Sequence, residues 1–320
     1  MLSRAFWTVA PGRGEIRTEA CATASDGGLL LTTLATGISR GTESLIFQGR
    51  VPPSQYAPMR APMMAGAFPF PVKYGYSAVA RGADGVRYFV LHPHQDRFAA
   101  PASMCVPVPD GVPTRRAVLA ANMETALNIV WDAAPLAGER VTVIGAGVVG
   151  LLVASLIARI PASAVTLIDI DSSRARIAAA IGCAFAAPAD APGEQELIVH
   201  ASASEAGLRL ALDRAAHEAR IVEASWYGDR APSVPLGEAF HARRLRLISS
   251  QVGQVSAAMR GRRTHRERLA LALALLTEPA YDLLLEPPTP FDDLPDAMPR
   301  LLAGGLCHVI TYGHEEACTA

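Results

Sequence analysis

Val141-Thr142-Val143-Ile144-Gly145-Ala146-Gly147-Val148-Val149-Gly150 is the stretch that decides the fold. Its first four residues are apolar or β-branched and read as a buried strand. Three glycines follow at G-x-G-x-x-G spacing, and residues 148–158 then read as a helix. Gly145 permits the tight turn, Gly147 lets backbone approach a pyrophosphate, and Gly150 lets helix and strand pack closely. The helix start, with Val148 and Val149, offers free N–H groups and partial positive charge to phosphates. An ordinary tight strand-to-helix turn is the plain alternative. Against it stands Asp169, 19 residues after Gly150 at the end of the next strand (165–168), close to the ~20 that a dinucleotide site needs. A carboxylate there accepts ribose hydroxyls and repels a 2′-phosphate, so the expected cofactor is NAD rather than NADP. Ile170 adjoins it as a further candidate. Arg174 and Arg176 are the counter-signal, because an arginine can pair with a phosphate.

Working outward, strand and helix alternate. Residues 173–181 read as a helix stopped by Gly182, 197–199 as a third strand, 206–216 as a helix, and 221–223 and 245–248 as further strands. Apolar strands alternating with helices imply an α/β, doubly wound parallel sheet. Ligands of such sheets bind beyond the carboxyl ends of the strands. That nominates His200 and Ala201, Ser225 and Trp226, and Ser250, on three loops that each follow a strand.

The first 110 or so residues have another texture. Residues 29–34, 78–80 and 88–91 read as strands. Prolines 52, 53, 58, 62, 69 and 71 mark 51–71 as a long ordered loop. After Pro113, 115–133 reads as a helix, 266–276 as another, and 309–312 as a closing strand.

The 320 residues are half hydrophobic and 18% charged, enough to bury the cores of two domains. A net charge of −1 gives no basic face for nucleic acid or an anionic membrane. No apolar run approaches the ~20 residues of a membrane span, and the first ten residues do not read as a secretory signal. The cysteines 21, 105, 183, 307 and 318 are scattered, with no Cys-x-x-Cys pair, which suits free thiols in the cytoplasm.

Gly37-Ile38-Ser39-Arg40-Gly41-Thr42-Glu43, Lys73-Tyr74-Gly75-Tyr76-Ser77, Phe98-Ala99-Ala100-Pro101-Ala102 and Asn122-Met123-Glu124-Thr125-Ala126, with the glycine motif, resemble the medium-chain dehydrogenase/reductase superfamily over nearly the whole chain. Gly-Ile-Ser-x-Gly-Thr-Glu and Gly-Tyr are most similar to the branch that includes the bacteriochlorophyllide a dehydrogenases. The resemblance implies a GroES-like β-rich catalytic domain (1–122 and 254–320) with an inserted Rossmann domain (123–253). It also implies a homodimer acting on a small alcohol or carbonyl compound.

The departures from that family point away from zinc. Ser39 stands at the first cysteine position, Tyr76 at the histidine, Ser77 at the adjoining glutamate, and the third-ligand position falls near Ala121; the four-cysteine lobe is missing. Serine and tyrosine hydroxyls are poor zinc ligands, so neither a catalytic nor a structural zinc is expected. Hydride transfer then needs another group to handle the alkoxide and its proton. By resemblance Thr42 is the proton-relay hydroxyl and Tyr76 points at the reacting carbon, a packed tyrosine being the alternative. His92-Pro93-His94-Gln95-Asp96 is the densest polar cluster, and strand alternation would put His92, His94 and Asp96 on one face. It reads as a proton-shuttling group, a surface turn or a metal site. Glu124 is a further candidate, with a carboxylate answering a helix dipole as the alternative. Three functions fit: an NAD-dependent alcohol dehydrogenase or ketone reductase without zinc, a zinc-free C=C reductase, or a non-catalytic dinucleotide-binding protein.

Overall fold

The computed structural model describes residues 1–21 and 27–313. Cys318 lies outside them. The chain divides into two compact units, Met1–Ala121 with Leu269–Ala320, and Asn122–Arg268. The second unit is therefore inserted in the first.

Gly28–Gly37 is the central strand of the first unit's larger sheet, built on its Leu-Leu-Leu-Thr-Thr run. Ala78–Gly82 pairs antiparallel with it, as does Arg97–Pro101. Val309–Thr311 also pairs with it antiparallel, Val309 opposite Gly37, so the end of the chain completes a sheet begun near its start. Leu2–Ala10 and Arg13–Ala20 form a hairpin at the edge of a second, four-stranded sheet. Helix Leu294–Ala303 lays Leu294, Met298, Leu301 and Leu302 against Phe6, Phe47 and Phe291, the spacing of a single buried helix face.

The second unit is a six-stranded parallel sheet in the order Ala184–Ala186, Ala164–Ile168, Arg140–Ile144, Gln195–His200, Ala215–Glu223, Arg246–Ser249. Chain order reverses between Arg140–Ile144 and Gln195–His200, the switch point of a doubly wound sheet. Helix Val148–Ile157 is apolar nearly all round and buried against the strands. No helix among the described residues is long and apolar enough to cross a membrane.

Several boundaries differ from the sequence reading. The 115–133 helix is two pieces, Thr114–Ala117 and Ala120–Ala133. The fifth strand starts at Ala215, six residues before the apolar run. Its first half holds His217 and Glu218, with Glu218 at φ +59°, and carries no strand-like pattern. The second unit runs on to Arg268 rather than ending at 253. Arg268 holds that extra segment, donating to the carbonyls of Val252 (2.6 Å) and Gln254 (3.1 Å).

Candidate functional site

In the second unit, Gly145 sits at φ +105°, and a Cβ there would meet Ser202 N at 2.8 Å. A Cβ on Gly150 would lie 1.9 Å from the Gly145 carbonyl oxygen. No side chain fits at either place, so the strand, turn and helix can close only on glycine. At Gly147 a Cβ would meet nothing within 4 Å. The loop thus leaves open space over its middle glycine, at the N-cap of helix Val148–Ile157. These residues fit a pyrophosphate cradle.

Asp169 closes the loop from the next strand. Its Oδ2 accepts from Ala146 N–H at 2.6 Å and its Oδ1 from Asp171 N–H at 2.9 Å. Ile170 beside it is 91% exposed. Arg174 lies on Asp171, 3.1 Å from Nε to Oδ2, and Asp171 is held below its ordinary carboxylate value by Ser173 first and Arg174 last.

The remaining loops end in a polar network. His200 is fully buried, with Nδ1 2.7 Å from Glu223 Oε2 and Nε2 2.7 Å from Ser202 Oγ. Ser225 donates its N–H to Glu223 Oε1 at 2.8 Å and its hydroxyl to His200 O at 3.3 Å. Tyr227 donates to Glu223 Oε2 at 3.3 Å, and burial followed by Glu223 pushes its phenol well above the ordinary value. Ser250 turns elsewhere, donating to Asp132 at 2.6 Å. The structure brings His200, Ala201 and Ser225 together next to the glycine loop. Sequence reading missed Glu223 and Ser202 as partners of His200, since nothing local marks a pairing between strand ends.

In the first unit, Ser39 precedes helix Arg40–Phe47, and Glu43 Oε1 reaches back to accept Ser39 N–H at 2.7 Å. The half-buried Tyr76 phenol hydrogen-bonds the side chains of Ser39 and Thr42. Burial pushes it up to about 12, against the two hydroxyls, which lower it. Three hydroxyls thus share one spot. Behind them lies a buried chain. His94 Nε2 sits 2.9 Å from Glu43 Oε2, its Nδ1 is 2.6 Å from Thr36 Oγ1, and Thr36 Oγ1 is 3.1 Å from the Tyr312 hydroxyl. With Nε2–H donating to Glu43, Nδ1 is left to accept from Thr36. Cys307, whose thiol burial pushes up to about 12, adjoins Tyr76 and Glu43.

Two sequence expectations are corrected here. His92, His94 and Asp96 do not share a face, because 92–96 is not a strand. His92 stacks on Phe98 at 3.6 Å in the core and keeps its Nδ1 on Pro93 O; burial lowers it to about 3. Asp96 instead accepts Arg4 N–H at 2.8 Å. Glu124 is not at a helix start but one turn inside Ala120–Ala133, where its carboxylate pairs with the buried Arg268 at 3.0 Å. Among the described residues no group of three or more His, Cys, Asp or Glu is arranged to hold a metal ion.

The two units define a GroES-like domain carrying an inserted Rossmann domain, and solved structures share this fold. One is described as a zinc-binding dehydrogenase from Sinorhizobium meliloti 1021 bound to NADP: 15% identity, 97% of this chain and 99% of that one covered, TM-score 0.76. Another is a short chain alcohol dehydrogenase from Escherichia coli CFT073 with NADH: 16%, 97% and 99%, TM-score 0.78. A third is acetophenone reductase from Geotrichum candidum with NAD: 15%, 97% and 97%, TM-score 0.77. At these identities the likeness is one of fold. No protein-family model and no curated protein matches the chain.

Proposed function

We propose that the chain is an oxidoreductase of the medium-chain dehydrogenase/reductase type, which uses NAD to interconvert a secondary alcohol and a ketone without catalytic zinc. One observation carries the reading: Asp169 is held by Ala146 N–H at 2.6 Å, joining the acid to an open glycine cradle. That arrangement offers phosphate contacts at the loop and acceptor oxygens for the adenosine ribose. The placement of Arg174 on Asp171 favours NAD over NADP, since that guanidinium already has an anion.

When bound, the nicotinamide supplies or takes the hydride. The proton falls to the hydroxyls of Ser39, Thr42 and Tyr76. With its value near 12, Tyr76 stays protonated at neutral pH, so it can donate to a developing alkoxide while Ser39 and Thr42 fix its direction. Zinc does not fit this spot. Tyr76 would have to lose a proton that burial makes harder to lose, and the Ser39 hydroxyl is a poor zinc ligand.

A protonated tyrosine also suits the reduction of a C=C bond, which needs hydride delivery and a proton donor only. Incubation with deuterated NADH and a panel of ketones and enones, followed by NMR of the products, tests both. Deuterium on a carbinol carbon supports the first reading, and a saturated ketone labelled on carbon supports the second. Metal analysis with one tightly held zinc per chain would contradict the zinc-free mechanism.

A further inference from the structure

The second unit has another concavity, away from the glycine loop. It is a shallow, open groove of about 300 Å³ lined by apolar residues, including Val130, Trp131, Pro135, Ile160, Ala258 and Met259. Ile160 lies past the far end of helix Val148–Ile157, so ~15 Å or more separates the groove from the dinucleotide cradle. Leu136, 61% exposed, continues the apolar surface beside Pro135.

A basic segment starts where this lining stops. Residues 260–266 contain Arg260, Arg262, Arg263 and Arg266 with His265 and no acid, and all five are exposed. The backbone turns tightly here. The amides of Arg262 and Arg263 both donate to Met259 O, at 2.8 and 2.9 Å, which starts both side chains within one turn of a groove residue. The nearest acid in sequence, Glu267, accepts from Thr264 N–H and its hydroxyl at 2.7 and 3.0 Å and also interacts with Arg263, leaving the segment with a net excess of positive charge. The apolar groove is thus followed along the chain by an exposed, arginine-rich turn.

We propose that this groove binds a single-chain anionic amphiphile from solution, with the alkyl chain in the trough and the phosphate or carboxylate head on Arg262 and Arg263. The apolar walls reward removal of a chain from water, and arginine forks match the oxygens of either head group. The volume sits at the small end of ligand pockets, ~300–1,000 Å³, which suits one chain.

The full chain is titrated with decyl phosphate by calorimetry, with Trp131 emission followed in parallel and assigned by Trp131→Phe. The expected result is saturation at one ligand per chain. Decyl maltoside, with the same chain and a neutral head, binds about tenfold more weakly, and inorganic phosphate alone does not saturate. Arg262→Gln and Arg263→Gln, both at exposed positions, each weaken decyl phosphate by about fivefold. Ala258→Trp, at an exposed wall position, removes binding while circular dichroism and the melting temperature stay as in the parent. The proposal is overturned by no saturable binding, by equal affinity for decyl maltoside, or by arginine variants that bind like the parent. It is likewise overturned if the protein binds phosphatidylglycerol vesicles but not free decyl phosphate, or if self-association, lost in Ala258→Trp, covers the groove.

Discussion

Glu124 and Arg268 form a buried ion pair, Oε1 to Nε 3.0 Å, across 144 positions of sequence. Arg268 completes its shell with Asn128 Oδ1 at 2.6 Å and two backbone carbonyls. Burial raises the Glu124 carboxyl, and Arg268 pulls it back only in part. Removing one partner leaves the other charge buried and unpaired. Glu124→Ala should therefore cost ~3–5 kcal/mol of stability in urea titrations. The turnover of the folded fraction should be unchanged. A selective loss of turnover at full stability would return Glu124 to the chemistry.

His92 makes a pH prediction. An unfolded histidine takes up a proton below about pH 6.5, whereas folded His92 stays neutral down to about 3. Between those values the unfolded state binds more protons. Stability from this group is thus full above pH ~6.5 and declines as the pH falls, by at most ~1.4 kcal/mol per pH unit. His92→Phe, which preserves the stack on Phe98, should flatten that slope in denaturation midpoints measured from pH 7 to pH 5. An unchanged slope would show that other groups carry it.

Tyr76→Phe should lower kcat by ~100-fold or more, the usual range for a lost proton donor. The dissociation constant for NADH, read by fluorescence, should stay the same. Since burial pushes Tyr76 up to about 12, its deprotonation should add no limb to the rate profile below about pH 10. Thr42→Ala should follow the same pattern more weakly, since Ser39 still bonds the phenol. Wild-type turnover in Tyr76→Phe would contradict this assignment.

The features legible in the sequence were those whose partners are close in sequence or forced by chemistry. Gly145, Gly150 and Asp169 belong to one strand–turn–helix–strand unit, and only glycine can occupy two of the positions. The alternation of strands and helices likewise revealed the parallel sheet. What stayed hidden depends on distant contacts. The sequence shows His92, His94 and Asp96 as neighbours, yet their partners are Phe98, Glu43 and Arg4, from three different places. Glu223 looks like any strand end until His200 is set beside it. The early start of the Ala215–Glu223 strand was missed for a related reason. Sheet pairing overrides the weak strand preference of Ala, His and Glu.

The dinucleotide site is tested by a fluorescence titration of purified protein with NADH, repeated with NADPH and with Asp169→Ala. One NADH per chain should bind saturably and NADPH more weakly. The variant should lose ~1–3 kcal/mol of NADH binding, as charge-assisted hydrogen bonds to the ribose disappear. Absence of saturable binding by either nucleotide, or an Asp169→Ala protein that binds NADH like the parent, would contradict it.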